Sequence, residues 1–176
     1  MSSNQTPDPR PEIIACAPLT TSSTVPEATR SHLITTFNPH VPFEENIGGM
    51  YLKREIVISG FPKSNASRMT INLLMNASGA IAFHLDVRFN AEGDHNVVVR
   101  NSKKEGESWG SEERTIPYFP FCPGTFFELK ITAEENYFKV DVNNKHVFDY
   151  LYHFPPLAFV DVLQVTGDVI LTKVAY

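Results

Sequence analysis

The stretch HLDVRFNAEGDHNVVVRNSKKEGESWGSEER, residues 84–114, decides how the chain is read. It holds two alternating runs joined by a polar loop, followed by a second loop that ends at a tryptophan. Side chains of a strand point alternately to its two faces. A strand over 81–90 therefore lines up His84, Asp86 and Arg88 on one face, with Ile81, Phe83, Leu85, Val87 and Phe89 on the other. The apolar face asks for a core; the polar face carries hydrogen-bonding groups that a merely solvated sheet does not need. The same rule puts Val97, Val99 and Asn101 on one face, and sets Glu112 and Arg114 opposite Glu113. Together with Trp109, these residues make a surface suited to a small polyhydroxylated ligand.

Working outward, short strand candidates recur at 53–60, 68–75, 80–89, 95–101, 113–116, 125–132, 136–142, 145–149 and 159–174. Turn chemistry such as PKSNAS, NASG, NAEGD and CPG separates them. Val142-Asn143-Asn144-Lys145 predicts a tight hairpin, because Asn tolerates positive φ. No stretch sustains a helical period, so helix is expected only as a turn around Pro156–Phe159. Many short strands imply an all-β, antiparallel, two-sheet sandwich or barrel. VPFEENIGGM (41–50) reads as the loop entering the domain.

Residues 1–36 differ in kind. They are rich in Pro, Ser and Thr, and such a segment buries too little apolar surface to offset its ordering entropy. A disordered tail is expected there, with Ile13-Ile14-Ala15-Cys16 as its one apolar patch, and a single domain over 37–176.

Composition bounds the function. Of 176 residues, 42% are hydrophobic and 20% charged, ordinary values for a globular domain. Thirteen Phe and six Tyr against one Trp favour strands. A net charge of −5 argues against nucleic acid or an anionic membrane as the principal partner. No apolar run approaches a bilayer span, and MSSNQTPDPRPE lacks the pattern of a secretory signal. Two cysteines, Cys16 and Cys122, make no disulfide framework, and a reducing compartment is the simpler expectation. Without a signal, the sequons at Asn4, Asn65 and Asn76 are read as unmodified.

At this point the residues resemble a known family. His84-Leu85-Asp86-Val87-Arg88, then Val99-Arg100-Asn101, then Trp109-Gly110-Ser111-Glu112-Glu113-Arg114 resemble the galectin signature H-x-N-x-R, V-x-N, W-x-x-E-x-R. The similarity extends over roughly 40–176. It implies a jelly-roll sandwich with one recognition domain that binds β-galactoside glycans on a concave sheet, without metal or cofactor. It further implies the cytosol with release by a signal-independent route, and leaves a homodimer open. Carried over residue by residue, the carbohydrate-binding set is His84, Asp86, Arg88, Asn101, Trp109, Glu112 and Arg114, with Arg68 at the groove edge. The resemblance implies that Trp109 stacks on the C–H face of galactose. Glu112 is the expected partner of Arg88.

Asp86 departs from the pattern, where the family has Asn. An amide donates and accepts, whereas an ionised carboxylate only accepts. One lost hydrogen bond is worth about 0.5–1.5 kcal/mol, so altered affinity or specificity is expected. Two other classes of function compete with this one. A glycosidase needs two carboxyl groups flanking a bond, and Asp86 with Glu112 is the one couple available. There is no G-x-S-x-G, no HExxH and no zinc spacing. A protein-interaction sandwich would use the aromatic run Ile116–Phe121, unless alternation buries that run in the core.

Overall fold

The structure is a computed structural model in which residues 34–176 are described. Residues 1–33 of the predicted tail, with its patch at 13–16, lie outside the described residues. The strands are β1 (Thr35–Phe37), β2 (Phe43–Asn46), β3 (Glu55–Pro62), β4 (Arg68–Met75), β5 (Ala80–Ala91) and β6 (Asp94–Lys103). They continue as β7 (Phe127–Ala133), β8 (Tyr137–Val142), β9 (Lys145–Leu151), β10 (Val162–Gly167) and β11 (Val169–Ala175). Two antiparallel sheets result, one of six strands in the order β1-β11-β3-β7-β8-β9 and one of five in the order β2-β10-β4-β5-β6. This is the expected all-β sandwich. The one helical element among the described residues is a 3-10 turn, Leu157–Phe159, inside the predicted window.

Alternation explains the layering. Phe83, Leu85, Val87 and Phe89 of β5 all enter the core, as predicted. Across the gap Phe83 stacks on Phe138 at 5.4 Å and tilts against Tyr150 at 5.1 Å. Each such ring removes enough apolar surface from water to contribute about 1.5–3 kcal/mol. Tyr118, Phe119 and Phe121 are buried as well, so the aromatic run is core rather than an exposed docking surface. The Asn143–Asn144 turn has φ of 52° and 61°, which gives the predicted tight β8–β9 hairpin.

Several expectations need correction. Ile81 leaves the core face: a bulge between Ile81 and His84 resets the alternation, so Ile81 pairs with Leu74 while Ala80 turns inward. Residues 113–116 form no strand beyond an isolated bridge from Glu113 to Arg100. The run 159–174 divides into β10 and β11, which belong to different sheets. Its break is at Gly167, with φ of 95°, where a Cβ would stand 2.5 Å from the Arg68 carbonyl oxygen. The segment read as an entry loop contains β2, which pairs with β10, and Thr35 and Thr36 of the presumed tail pair with β11. Both β1 and β2 are short and find their partners more than a hundred residues away, so no local pattern announces them. Cys122 is disulfide-bonded, which departs from the expectation of a reduced thiol.

Candidate functional site

The five-stranded sheet positions the site. Adjacent β4, β5 and β6 bring Arg68 opposite Arg88, Asn72 opposite His84, and His84 opposite Asn101. A hollow of about 240 Å³ opens on the outer face of these strands. Arg68, His84, Arg88, Val99, Asn101, Trp109, Gly110 and Glu112 line it. Six of the eight predicted site residues are thus gathered in one place; Asp86 lies beneath and Arg114 to one side.

Trp109 is 45% exposed, although it is the largest apolar side chain in the sequence. Its ring lies 4.6 Å from the His84 imidazole at an interplanar angle of 47°. Lys103 Nζ approaches the indole at 5.7 Å from its centroid. Asn101, almost fully buried, holds the tryptophan loop: its Nδ2 donates to the Gly110 carbonyl at 2.9 Å, and its Oδ1 accepts from Ser102 N at 2.8 Å. His84 Nδ1 is 2.7 Å from Asn72 Oδ1.

The charged side is a chain of ion pairs. Asp86 has no exposed surface. Its Oδ1 accepts from Arg68 Nε at 2.6 Å and its Oδ2 from Arg88 Nε at 2.7 Å. Arg88 Nη1 donates to Asp94 at 2.7 Å, and Arg114 Nη1 donates to both oxygens of Asp94 at 2.9 Å. Arg114 Nη2 then reaches Glu112 at 2.6 Å. The expected Arg88–Glu112 ion pair is present at 3.7 Å, but Asp86 and Asp94 sit closer to the same guanidinium, each at 2.7 Å. Glu113 points the other way, as alternation predicts, towards Arg100 at 3.8 Å.

A family model described as galactoside-binding lectin matches residues 41–176, which includes every one of these side chains. The chain belongs to the galectin family. Rat galectin-4 is 43% identical over 139 residues, covering 78% of this chain and 41% of that relative. Human galectin-4 is 40% identical over 140 residues, covering 79% and 42%. Rat galectin-8 is 37% identical over 135 residues, covering 76% and 41%. The chain spans about two fifths of the length of these relatives. Among solved structures, the Caenorhabditis elegans galectin LEC-6 aligns with a TM-score of 0.70 at 25% identity, covering 81% of this chain and 95% of that one. Sheep galectin-11 in complex with glycerol aligns with 0.66 at 28% identity, covering 76% and 95%.

In this galectin the electrostatics follow from burial and pairing. Burial holds His84 below the ordinary imidazole value; Asp86 opposes that shift while Arg68 and Arg88 reinforce it, so the ring is neutral at pH 7. Burial works against the Arg88 charge, but hydrogen bonds to Asp86 and Asp94 outweigh it and raise the group above its usual range. Asp94 is held below the usual carboxylate range, first by the Arg88 hydrogen bond. Asp94 and Asn72 take part beyond the residues carried over from the resemblance. In sequence Asp94 belongs to turn chemistry, yet its place in the β5–β6 hairpin sets it beside Arg88. Arg68, Thr70 and Asn72 alternate with Met69, Ile71 and Leu73, a period-two signal that was available. Arg100 faces the gap between sheets, 4.6 Å from the Phe148 ring, and donates to the Val98 and Thr115 carbonyls. No cluster of His, Cys, Asp and Glu placed to hold a metal occurs among the described residues.

Proposed function

We propose that this galectin is a metal-independent lectin for β-galactosides of the lactose and N-acetyllactosamine type. One observation carries the reading: an exposed indole stands beside an imidazole, next to arginines already held in place. A galactose offers an apolar C–H face to the indole and hydroxyls to the polar wall, and an amphipathic ring at a wet surface suits that task. Because Arg88 is fixed before sugar arrives, less ordering entropy is lost on binding. Glu112 and Asn101 line the same hollow and retain capacity to accept or donate.

Asp86 acts in this reading through the two arginines it clamps. Both its oxygens are engaged and none of its surface is open, so it offers a sugar hydroxyl little and a glycosidic bond no acid. This supports a binding protein over a hydrolase, and it supports an affinity or specificity shifted away from that of an Asn-bearing site. The second reading, a galectin-related interaction domain with weak sugar binding, rests on the same occupied carboxylate. A cytosolic protein released without a signal peptide remains our proposal for location; the disulfide at Cys122 fits time spent in an oxidising setting. The test is a glycan array with lactose as competitor, run beside a chromogenic β-galactoside. Lactose-competed signal on galactose-terminated glycans without turnover supports the lectin; product release supports a hydrolase; a folded protein silent on the array supports the interaction domain.

A further inference from the structure

Five polar side chains stand in a single row across the five-stranded sheet, each directly opposite the next: Glu44, Gln164, Asn72, His84 and Asn101. The first four are joined. Gln164 Nε2 donates to Glu44 Oε2 at 2.8 Å, Asn72 Nδ2 donates to Gln164 Oε1 at 2.9 Å, and Asn72 Oδ1 meets His84 Nδ1 at 2.7 Å. A carboxylate can only accept, so Glu44 obliges Gln164 to present its NH2 and therefore turn its oxygen to Asn72. Asn72 must answer with its own NH2, which leaves its oxygen facing the ring. That oxygen requires a proton on Nδ1.

We infer that this relay sets the tautomer of His84, so that Nδ1 carries the proton, Nε2 is a bare acceptor, and Glu44, Gln164 and Asn72 are positioning residues for the sugar site. With strands spaced about 4.8 Å apart, Glu44 acts across roughly 14 Å. A histidine whose second nitrogen is so committed selects a ligand group that donates to it. The part of the inference that concerns ligand rests on the lectin reading; the tautomer does not. Burial, which keeps the ring neutral, is what makes a tautomer choice necessary. The Glu44–Gln164 link is exposed to water, whereas Asn72 is buried. Loss of Gln164 should therefore disturb the ring more than loss of the Glu44 charge.

The test reads the His84 ring by proton–nitrogen correlation NMR without sugar, at about pH 8, well above the ordinary histidine pKa. The unaltered protein should show the Nδ1–H form. Glu44→Gln and Gln164→Leu should bring in the Nε2–H form, more strongly for Gln164→Leu, and weaken lactose binding by about two- to fivefold, a hydrogen-bond-sized loss. The double variant Asn72→Asp with Glu44→Gln reverses both amide links yet keeps an acceptor at Nδ1, and should restore the tautomer. A ring that stays wholly Nδ1–H in both of the first two variants overturns the relay, as does a proton found on Nε2 in the unaltered protein. A shifted tautomer with unchanged lactose affinity overturns the positioning role. Failure of the lectin reading looks different: the Nδ1–H form is present, but the unaltered protein does not bind lactose.

Discussion

On the Asp94 side of the hollow, side chains hold one another; on the Trp109 side, the backbone holds them. Arg68, Asp86, Arg88, Asp94, Arg114 and Glu112 form a continuous ion-paired chain in which Asp86 and Arg88 are buried. The tryptophan loop is fixed by Asn101 through the Gly110 carbonyl, and by Gly110 N on the Ser102 carbonyl, while the indole itself remains open. The charged side thus has most of its hydrogen bonding satisfied before any ligand arrives. The aromatic side keeps its surface unspent. Affinity should therefore depend most on the aromatic side, and stability on the charged side.

The largest expected effect separates the two. Trp109→Ala should remove about 2 kcal/mol or more of lactose affinity, roughly thirtyfold, as loss of a central aromatic anchor does. Thermal unfolding should stay within about 0.5 kcal/mol of the unaltered protein, since the ring is nearly half exposed. A large fall in stability would make Trp109 part of the core and dissolve the contrast. Next comes Asp86→Asn. One amide cannot accept from two guanidinium groups through both of its ends, so a destabilisation of about 1–2 kcal/mol is expected, less than for a fully enclosed pair because Arg68 is partly solvated. Lactose affinity should rise a few-fold, because the Arg68 guanidinium released from the clamp regains donors for sugar hydroxyls at the edge of the hollow. A joint fall in stability and affinity, measured by calorimetry and titration, would show that the clamp serves binding directly.

Acid provides a third probe. The folded-state pKa of His84 lies below its unfolded value of about 6.5. Its contribution to stability is therefore fully present above pH 6.5 and is lost as the pH falls through the folded pKa. Lactose affinity should hold steady through pH 6.5 and drop only at lower pH, when the ring protonates and Nε2 ceases to accept. A midpoint at or above 6.5 in the titration would deny that burial governs this ring. The smallest effect belongs to Arg114→Ala. Arg114 and its partner Glu112 are open to water, and Asp94 keeps Arg88, so stability should move by less than about 0.5 kcal/mol and lactose affinity by two- to threefold at most.

The two sides also differ in how readily the sequence revealed them. Strict alternation in β5 was enough to place His84, Asp86 and Arg88 on one face and four core residues on the other. Trp109 was identifiable because a large ring between Ser108 and Gly110 has little to bury it. Pairing within the charged side was readable only in part: Glu112 does face Arg88, but which carboxylate comes closest depends on turn geometry, and Asp94 enters because the β5–β6 hairpin folds it back. The short strands β1 and β2 escaped for the same reason, their partners being distant in sequence, and the bulge before His84 left no local mark at Ile81. Glu44 sits in a segment with the Pro and Gly punctuation of a loop, so only the pairing of β2 with β10 reveals its row across the sheet.

The central claim is that the hollow recognises galactose, and the chain's one tryptophan makes it directly measurable. Indole fluorescence should be followed while lactose is added, with cellobiose, which differs at a single hydroxyl configuration, as the control. The account predicts a saturable change with lactose and none with cellobiose. No change with lactose in the folded protein, or the same change with both sugars, would contradict it.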